Sequence, residues 1–119
     1  MIINLTLPSP PSVNTYWQSG RGGHKFLSKK ARQFKDDVAA ILTANKLCNT
    51  NLENELKVSF FYYPPDLRTR DIDNYFKGVF DSLRDAKLYK DDVQIMVLYA
   101  EKKEKVKGGK VELVIETLN

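Results

Sequence analysis

The segment Leu56-Lys57-Val58-Ser59-Phe60-Phe61-Tyr62-Tyr63 runs straight into Pro64-Pro65, and it limits the folds open to this chain more than any other stretch. Its pattern predicts a strand over 56–62, closed by a proline pair that offers no N–H to a sheet ladder. The aromatic run Phe60-Phe61-Tyr62-Tyr63 is too apolar for a strand with one fully wet face. Burial in the protomer core or against a second copy of the chain accounts for it equally well.

The other elements arrange themselves around this strand. Ile2 to Leu7 alternates and predicts a first strand, ended by the stiff Pro8-Ser9-Pro10-Pro11. A long loop follows, whose glycine-rich, basic stretch from Gln18 to Lys25 suits a mobile arm with a backbone able to approach phosphates. Ser28 is a good N-cap, and Ala31, Phe34, Val38, Ile41 and Leu42 recur at helical spacing to about Lys46. After the polar turn from Cys48 to Asn54 and the strand at 56–62, a second helix is predicted from Asn74 to about Lys87. Its apolar stripe is Phe76, Val79, Phe80, Leu83 and Ala86. Val93 to Lys103 is strand-like, Gly108-Gly109 marks a turn and Lys110 to Thr117 alternates, which predicts a terminal hairpin. The order is β-α-β-α-β-β, a single α/β (α+β) domain over residues 1–119 with helices packed on a mixed sheet.

At 119 residues the chain is long enough for a two-layer core and too short for a catalytic domain plus a separate binding domain. No apolar run approaches the length needed to cross a bilayer and no secretory signal is visible, so a soluble protein is expected. Cys48 is the only cysteine and His24 the only histidine. That excludes an intrachain disulfide and a Cys/His zinc site, fits a reducing cytoplasm, and leaves oxygen ligands for any metal. Charge is uneven: Arg21, Lys25, Lys29, Lys30, Arg32 and Lys35 all precede Asp36, the first acid. A basic region beside one that gathers carboxylates is what a nuclease needs, although a solvated helix face explains any single lysine.

The carboxylates gather in Arg68-Thr69-Arg70-Asp71-Ile72-Asp73-Asn74, where the extended segment gives way to the second helix. In extended backbone, side chains two apart point the same way, so Asp71 and Asp73 are expected to aim at one point. Such a pair suits Mg²⁺, which binds through one or two carboxylates plus waters and phosphate oxygens, and Arg68 and Arg70 would attract the phosphate. The plain alternative is that one aspartate caps the helix. Asp91-Asp92, between the second helix and the third strand, is a second carboxylate source. Acids at both ends of a helix with Lys77 between them have the form of a metal-dependent phosphodiesterase site. There the acids hold Mg²⁺, the metal polarises the phosphate and activates water, and a lysine offsets transition-state charge. Lys77 also suits an ordinary i,i+4 ion pair with Asp81.

Arg70-Asp71-Ile72-Asp73-Asn74, Lys77, Phe80-Asp81 and Asp91-Asp92 resemble the RusA Holliday junction resolvases, small dimeric endonucleases of phages and prophages. The resemblance runs nearly end to end, taking in Leu7-Pro8, Pro10-Pro11-Ser12 with Asn14 and Tyr16, the Gly/Arg loop, Ser28, Val38-Ala39 and Gly108-Gly109. It implies a RusA-like fold and a catalytic set of Asp71, Asp73, Asp92 and Lys77, with Asp91 a further candidate ligand. It also implies Mg²⁺, with Mn²⁺ as the substitute cation, and symmetrical nicks in a four-way DNA junction that leave 5′-phosphates and 3′-hydroxyls for recombination and repair. The setting would be a bacterial or phage-infected host cytoplasm. Candidate DNA contacts are Arg21, Lys25, Lys29, Lys30, Arg68, Arg70, Asn14 and Tyr16. The loop from Gly20 to Lys25 is poorer in arginine than the family pattern, which leaves dinucleotide preference open. Val13 replaces a polar residue in the Pro-Pro-Ser-x-Asn pattern.

One distance is awkward. A helix from Asn74 to Lys87 is about 20 Å long, while five extended residues span at most about 17 Å, so Asp92 barely returns to Asp71. Either the helix is shorter, starting near Gly78, or a partner subunit completes each site. A homodimer has an independent basis, since a four-way junction with approximate two-fold symmetry needs two opposed cuts. Tyr16 and Trp17 are expected either to stack on bases at the junction or to pin the proline-rich segment to the core. The rival classes are a non-catalytic basic nucleic-acid-binding module and a glycosyltransferase built on Asp-Ile-Asp, the latter lacking room for a nucleotide-sugar domain.

Overall fold

Alternation in the sequence becomes alternation in burial. In the computed structural model, which describes residues 1–119, β1 (Ile2–Pro8) buries Ile3, Leu5 and Leu7 and exposes Ile2, Asn4 and Thr6. The stretch expected as a long loop contains a small hairpin, β2 (Trp17–Ser19) paired with β3 (Lys25–Leu27). Gly22 and Gly23, at φ 70° and 77°, permit its tight turn, because a side chain at either position would be strained. Next, α1 (Lys29–Ala44) starts at Ser28, whose Oγ accepts from the Ala31 N–H and donates to the Thr15 carbonyl.

β4 (Leu56–Tyr63), α2 (Phe76–Asp85), β5 (Ile95–Lys102) and β6 (Lys110–Thr117) complete the chain. The sheet order is β1-β6-β4-β5, with β4 and β5 parallel and the other neighbours antiparallel, so the mixed sheet expected from the sequence is present. The expected terminal hairpin is not. β6 lies between β1 and β4, while β5 lies on the far side of β4, because α2 is the crossover that parallel strands require. Residues 103–109 therefore pass over the proline end of β4, where the Lys103 N–H donates to the Tyr62 carbonyl and the Val106 N–H to that of Pro64.

One face of the sheet carries the core. Phe34, Val38 and Leu42 of α1 and Val79, Phe80 and Leu83 of α2 cover Leu5, Leu7, Val58, Phe60, Leu113 and Ile115. The aromatic run of β4 is divided: Phe60 and Tyr62 join this core, whereas Phe61 and Tyr63 lie half-buried on the opposite face. The second helix is shorter than Asn74–Lys87. Ile72–Tyr75 forms a tighter 3₁₀ turn before it, and its ten residues span about 15 Å. It also approaches the proline-rich segment closely, since a Cβ on Gly78 would meet the Pro11 ring at 3.0 Å.

Candidate active site

Asp71 and Asp73 stand at the N-terminal end of α2, but not in the common extended backbone that the sequence implied. Asp71 is the last extended residue, at φ −88° and ψ 124°, and Asp73 already belongs to the 3₁₀ turn. Both are exposed, and the Asp71 side chain makes no capping hydrogen bond. The flanking arginines are engaged elsewhere: Arg70 Nη1 lies 2.5 Å from Asp66 Oδ1 and Arg68 Nη2 lies 3.0 Å from Asp66 Oδ2. Their hydrogen bonds hold the Asp66 carboxyl far below the usual carboxylate range. Asp66 thus fixes both guanidinium groups and leaves the Asp71 and Asp73 carboxylates unpaired.

The far end of α2 is different. Asp91 accepts from the Val93 N–H, and the Gln94 side chain accepts from the Asp91 N–H, a reciprocal cap on the short 3₁₀ turn Asp92–Gln94. The Val93 N–H lowers the Asp91 carboxyl, while burial, and then the hydrogen bond with Asp91, raises that of Asp92. Arg84 reaches from α2 to Asp92 at 3.8 Å and to Asp81 at 3.5 Å. No three acids of one chain come close enough together to hold a metal ion. The shorter helix therefore does not unite Asp71, Asp73 and Asp92 within a protomer.

Between the two ends, Asp81 is buried at the centre of a polar cluster. It accepts from the Tyr16 hydroxyl at 3.1 Å and pairs with Lys77 at 3.2 Å. Burial, then the charge of Asp81, pushes the Tyr16 phenol well above its ordinary value. Tyr16, expected either as a DNA contact or as a pin of the proline-rich segment to the core, has its ring buried with the Lys35 and Lys77 ammonium groups over it at 5.7 and 5.8 Å. Tyr16 holds the network in place, and the exposed aromatics of the adjoining hairpin are Trp17 and Phe26. Lys77 forms the expected i,i+4 pair, but with a buried partner and with its own side chain half-exposed.

Of the expected DNA contacts, Lys30, Arg68 and Arg70 line one cavity of about 280 Å³ with Ser9, Ser12 and Thr15. Lys29 and Lys30 line the adjacent one. Arg21 and Lys25 are exposed on the hairpin, and Asn14 is exposed on the 3₁₀ turn Val13–Thr15. The sequence reading missed Asp66 and Arg84, and it met Asp81 only as an ion-pair partner of Lys77 and within the family motif.

A family profile described as Endodeoxyribonuclease RusA matches residues 8–116. The chain belongs to the RusA family. It is 36% identical over 112 residues to the crossover junction endodeoxyribonuclease RusA of Escherichia coli strain K12, covering 94% of this chain and 92% of the relative. Against the enzyme of the same name from Enterobacteria phage HK97, identity is 37% over 114 residues, covering 96% and 93%. The phage 82 relative is 36% identical over 112 residues. In this RusA family member both acid pairs and Lys77 fall within the matched span, with Asp71 and Asp73 at the 3₁₀ turn before α2, Lys77 on α2, and Asp91 and Asp92 at the 3₁₀ turn before β5.

Proposed function

We propose that this RusA family member is a structure-specific endodeoxyribonuclease that resolves four-way DNA junctions as a homodimer, in DNA recombination and repair in the cytoplasm of a bacterium or a phage-infected host. The observation that carries the reading is the unpaired carboxylate couple Asp71 and Asp73 beside a cavity lined by Lys30, Arg68 and Arg70. Carboxylate oxygens fit Mg²⁺ or Mn²⁺, and Asp71, Asp73 and the partner's Asp92 would hold the ion. When bound, that ion supplies Lewis acidity at the scissile phosphate.

The chain's own groups do the remaining work. Arg68 and Arg70, held in place by Asp66, present guanidinium N–H groups to the DNA backbone. Lys77 is oriented from behind by Asp81 and directs its ammonium at the charge that develops on the phosphate. Arg21, Lys25, Lys29 and exposed Asn14 extend the cationic track along the arms, and Trp17 offers an aromatic face to unstacked bases. Hydrolysis leaves a 5′-phosphate and a 3′-hydroxyl on each nicked strand.

Cleavage of a labelled four-way junction against linear duplex, wild type beside Asp73→Asn, tests the reading. Equal cutting of both substrates would leave a nuclease and remove the resolvase, and binding without nicking in Mg²⁺ would leave a binding module. The shared site has its own test, a mixture of Asp71→Asn and Asp92→Asn chains. Their heterodimer keeps one intact site only if each site draws on both chains, so restored nicking is expected and a wholly dead mixture removes sharing.

A further inference from the structure

Leu67 is the most exposed large apolar side chain of the protein, at 82%. A single exposed leucine on a surface loop is ordinary. The loop that carries this one is not, because it is braced along its whole length. Pro64 and Pro65 stiffen its entry, and the Val106 N–H donates to the Pro64 carbonyl at 2.9 Å. Asp66 accepts from the Arg68 N–H at 2.9 Å and from the Arg68 guanidinium at 3.0 and 3.2 Å, and Arg70 reaches back to the same carboxylate. The Lys102 ammonium donates to the Arg70 carbonyl at 2.7 Å. The glycine turn before β6 also presses on the loop, so closely that a Cβ on Gly109 would meet the Pro65 ring at 3.1 Å. Leu67 therefore stands at the tip of a preorganised loop, which loses little freedom when it meets a partner.

Charge on the two sides of the loop identifies that partner. Arg68 and Thr69 line both the cavity shared with Lys30 and Arg70 and a second groove of about 350 Å³. Lys102, Lys103 and Lys105 also line this groove. Its acids are Asp66, engaged by the two arginines, and exposed Glu104, while Lys103 pairs with Glu101 at 2.6 Å. Four cations against two acids leave the lining positive. The loop is thus a ridge, apolar at its crest and cationic on both flanks. Its complement is a flat apolar surface between two runs of phosphate. Branched DNA offers that where strands part and the face of a base pair is uncovered, whereas linear duplex keeps those faces inside the stack.

We propose that the loop from Pro64 to Arg70 divides the strands at the branch point, with Leu67 wedged against the base pair there and the groove of Lys102, Lys103 and Lys105 holding the backbone of a strand that turns away. The proposal rests on the junction-cutting reading and adds to it the group that tells a branch from a duplex. Apolar wedges of this size unstack base steps in kinked DNA. Four residues of chain reach at most about 14 Å, so Leu67 lies near enough to Asp71 to set where the cut falls relative to the branch.

The test places 2-aminopurine, which brightens when unstacked, at the branch point of a four-way junction, and reads it in EDTA so that binding is seen without cutting. Wild type is expected to raise the fluorescence, Leu67→Ser to leave it low and Leu67→Met to restore it. In Mg²⁺, Leu67→Ser should cleave the junction about 10-fold more slowly, and the loss should largely vanish on a junction whose branch-point pairs are mismatched, where no pair remains to be opened. Equal slowing on both junctions overturns the wedge. The Lys103→Gln, Lys105→Gln double variant should lower the slope of junction affinity against salt by about 2, and an unchanged slope removes the strand from the groove. A wild type that brightens the probe through Leu67 but never nicks keeps the wedge and removes the nuclease. A wild type that nicks junctions no faster than Leu67→Ser, with the same fluorescence, removes the wedge and keeps the nuclease.

Discussion

The two ends of α2 carry the same residue type in opposite conditions. At the N-terminal end, Asp71 and Asp73 are exposed and unpaired, because Asp66 has taken the neighbouring arginines. At the C-terminal end, Asp91 is consumed by a cap and Asp92 is half-buried against Arg84. Asp71 and Asp73, left unsatisfied beside bound cations, are free to take a ligand, whereas Asp91, already satisfied, holds a turn in shape. Sequence spacing treats all four acids alike, and only their partners separate them.

The contrast can be broken at several points. Asp73→Asn should cut junction cleavage by about 10³-fold while leaving thermal stability near wild type, since the carboxylate contributes to no fold contact. A large fall in Tm would make it a structural acid like Asp91. Lys77→Met should lower cleavage by about 10²-fold, with junction affinity in the absence of divalent metal nearly unchanged. Asp81→Asn acts from behind the site: weakening the Tyr16, Lys77 and Arg84 contacts should destabilise the fold by about 1–3 kcal/mol in urea titration and slow cleavage through Lys77. Asp91→Ala should cost about 1 kcal/mol of stability through the lost cap and keep most of the activity. If it abolishes cleavage as Asp73→Asn does, the two ends do not differ as described. Tyr16→Phe should cost about 1 kcal/mol by removing one hydrogen bond and leave junction binding intact. A marked loss of binding would return Tyr16 to the DNA.

Those effects follow the boundary between what was legible in the sequence and what was not. β1, β4, β6 and α1 were legible because their periodicities are local, as is the Ser28 cap. The β2–β3 hairpin was hidden by three-residue strands around a glycine turn, too short to show alternation. Gly108-Gly109 does mark a turn, but pairing depends on where β4 lies, which no local signal carries. The site divides in the same way. Asp71, Asp73, Lys77 and Asp92 were legible as charges with a spacing, whereas Asp66 acts by holding Arg68 and Arg70, and Asp81 by holding Lys77. Burial is what turned Tyr16 from a surface aromatic into the partner of Asp81.

The ten residues of α2, pressed against Pro11 at Gly78, form a stiff rod whose ends do not bend toward each other. On the proposed sharing of each site between two chains, a lone newly made chain holds only half of a cutting centre. With sites completed by pairing, nicking at low enzyme levels should rise with the square of concentration, so the cell is spared stray cuts until enough protein has accumulated for both strands of a junction to be cut together.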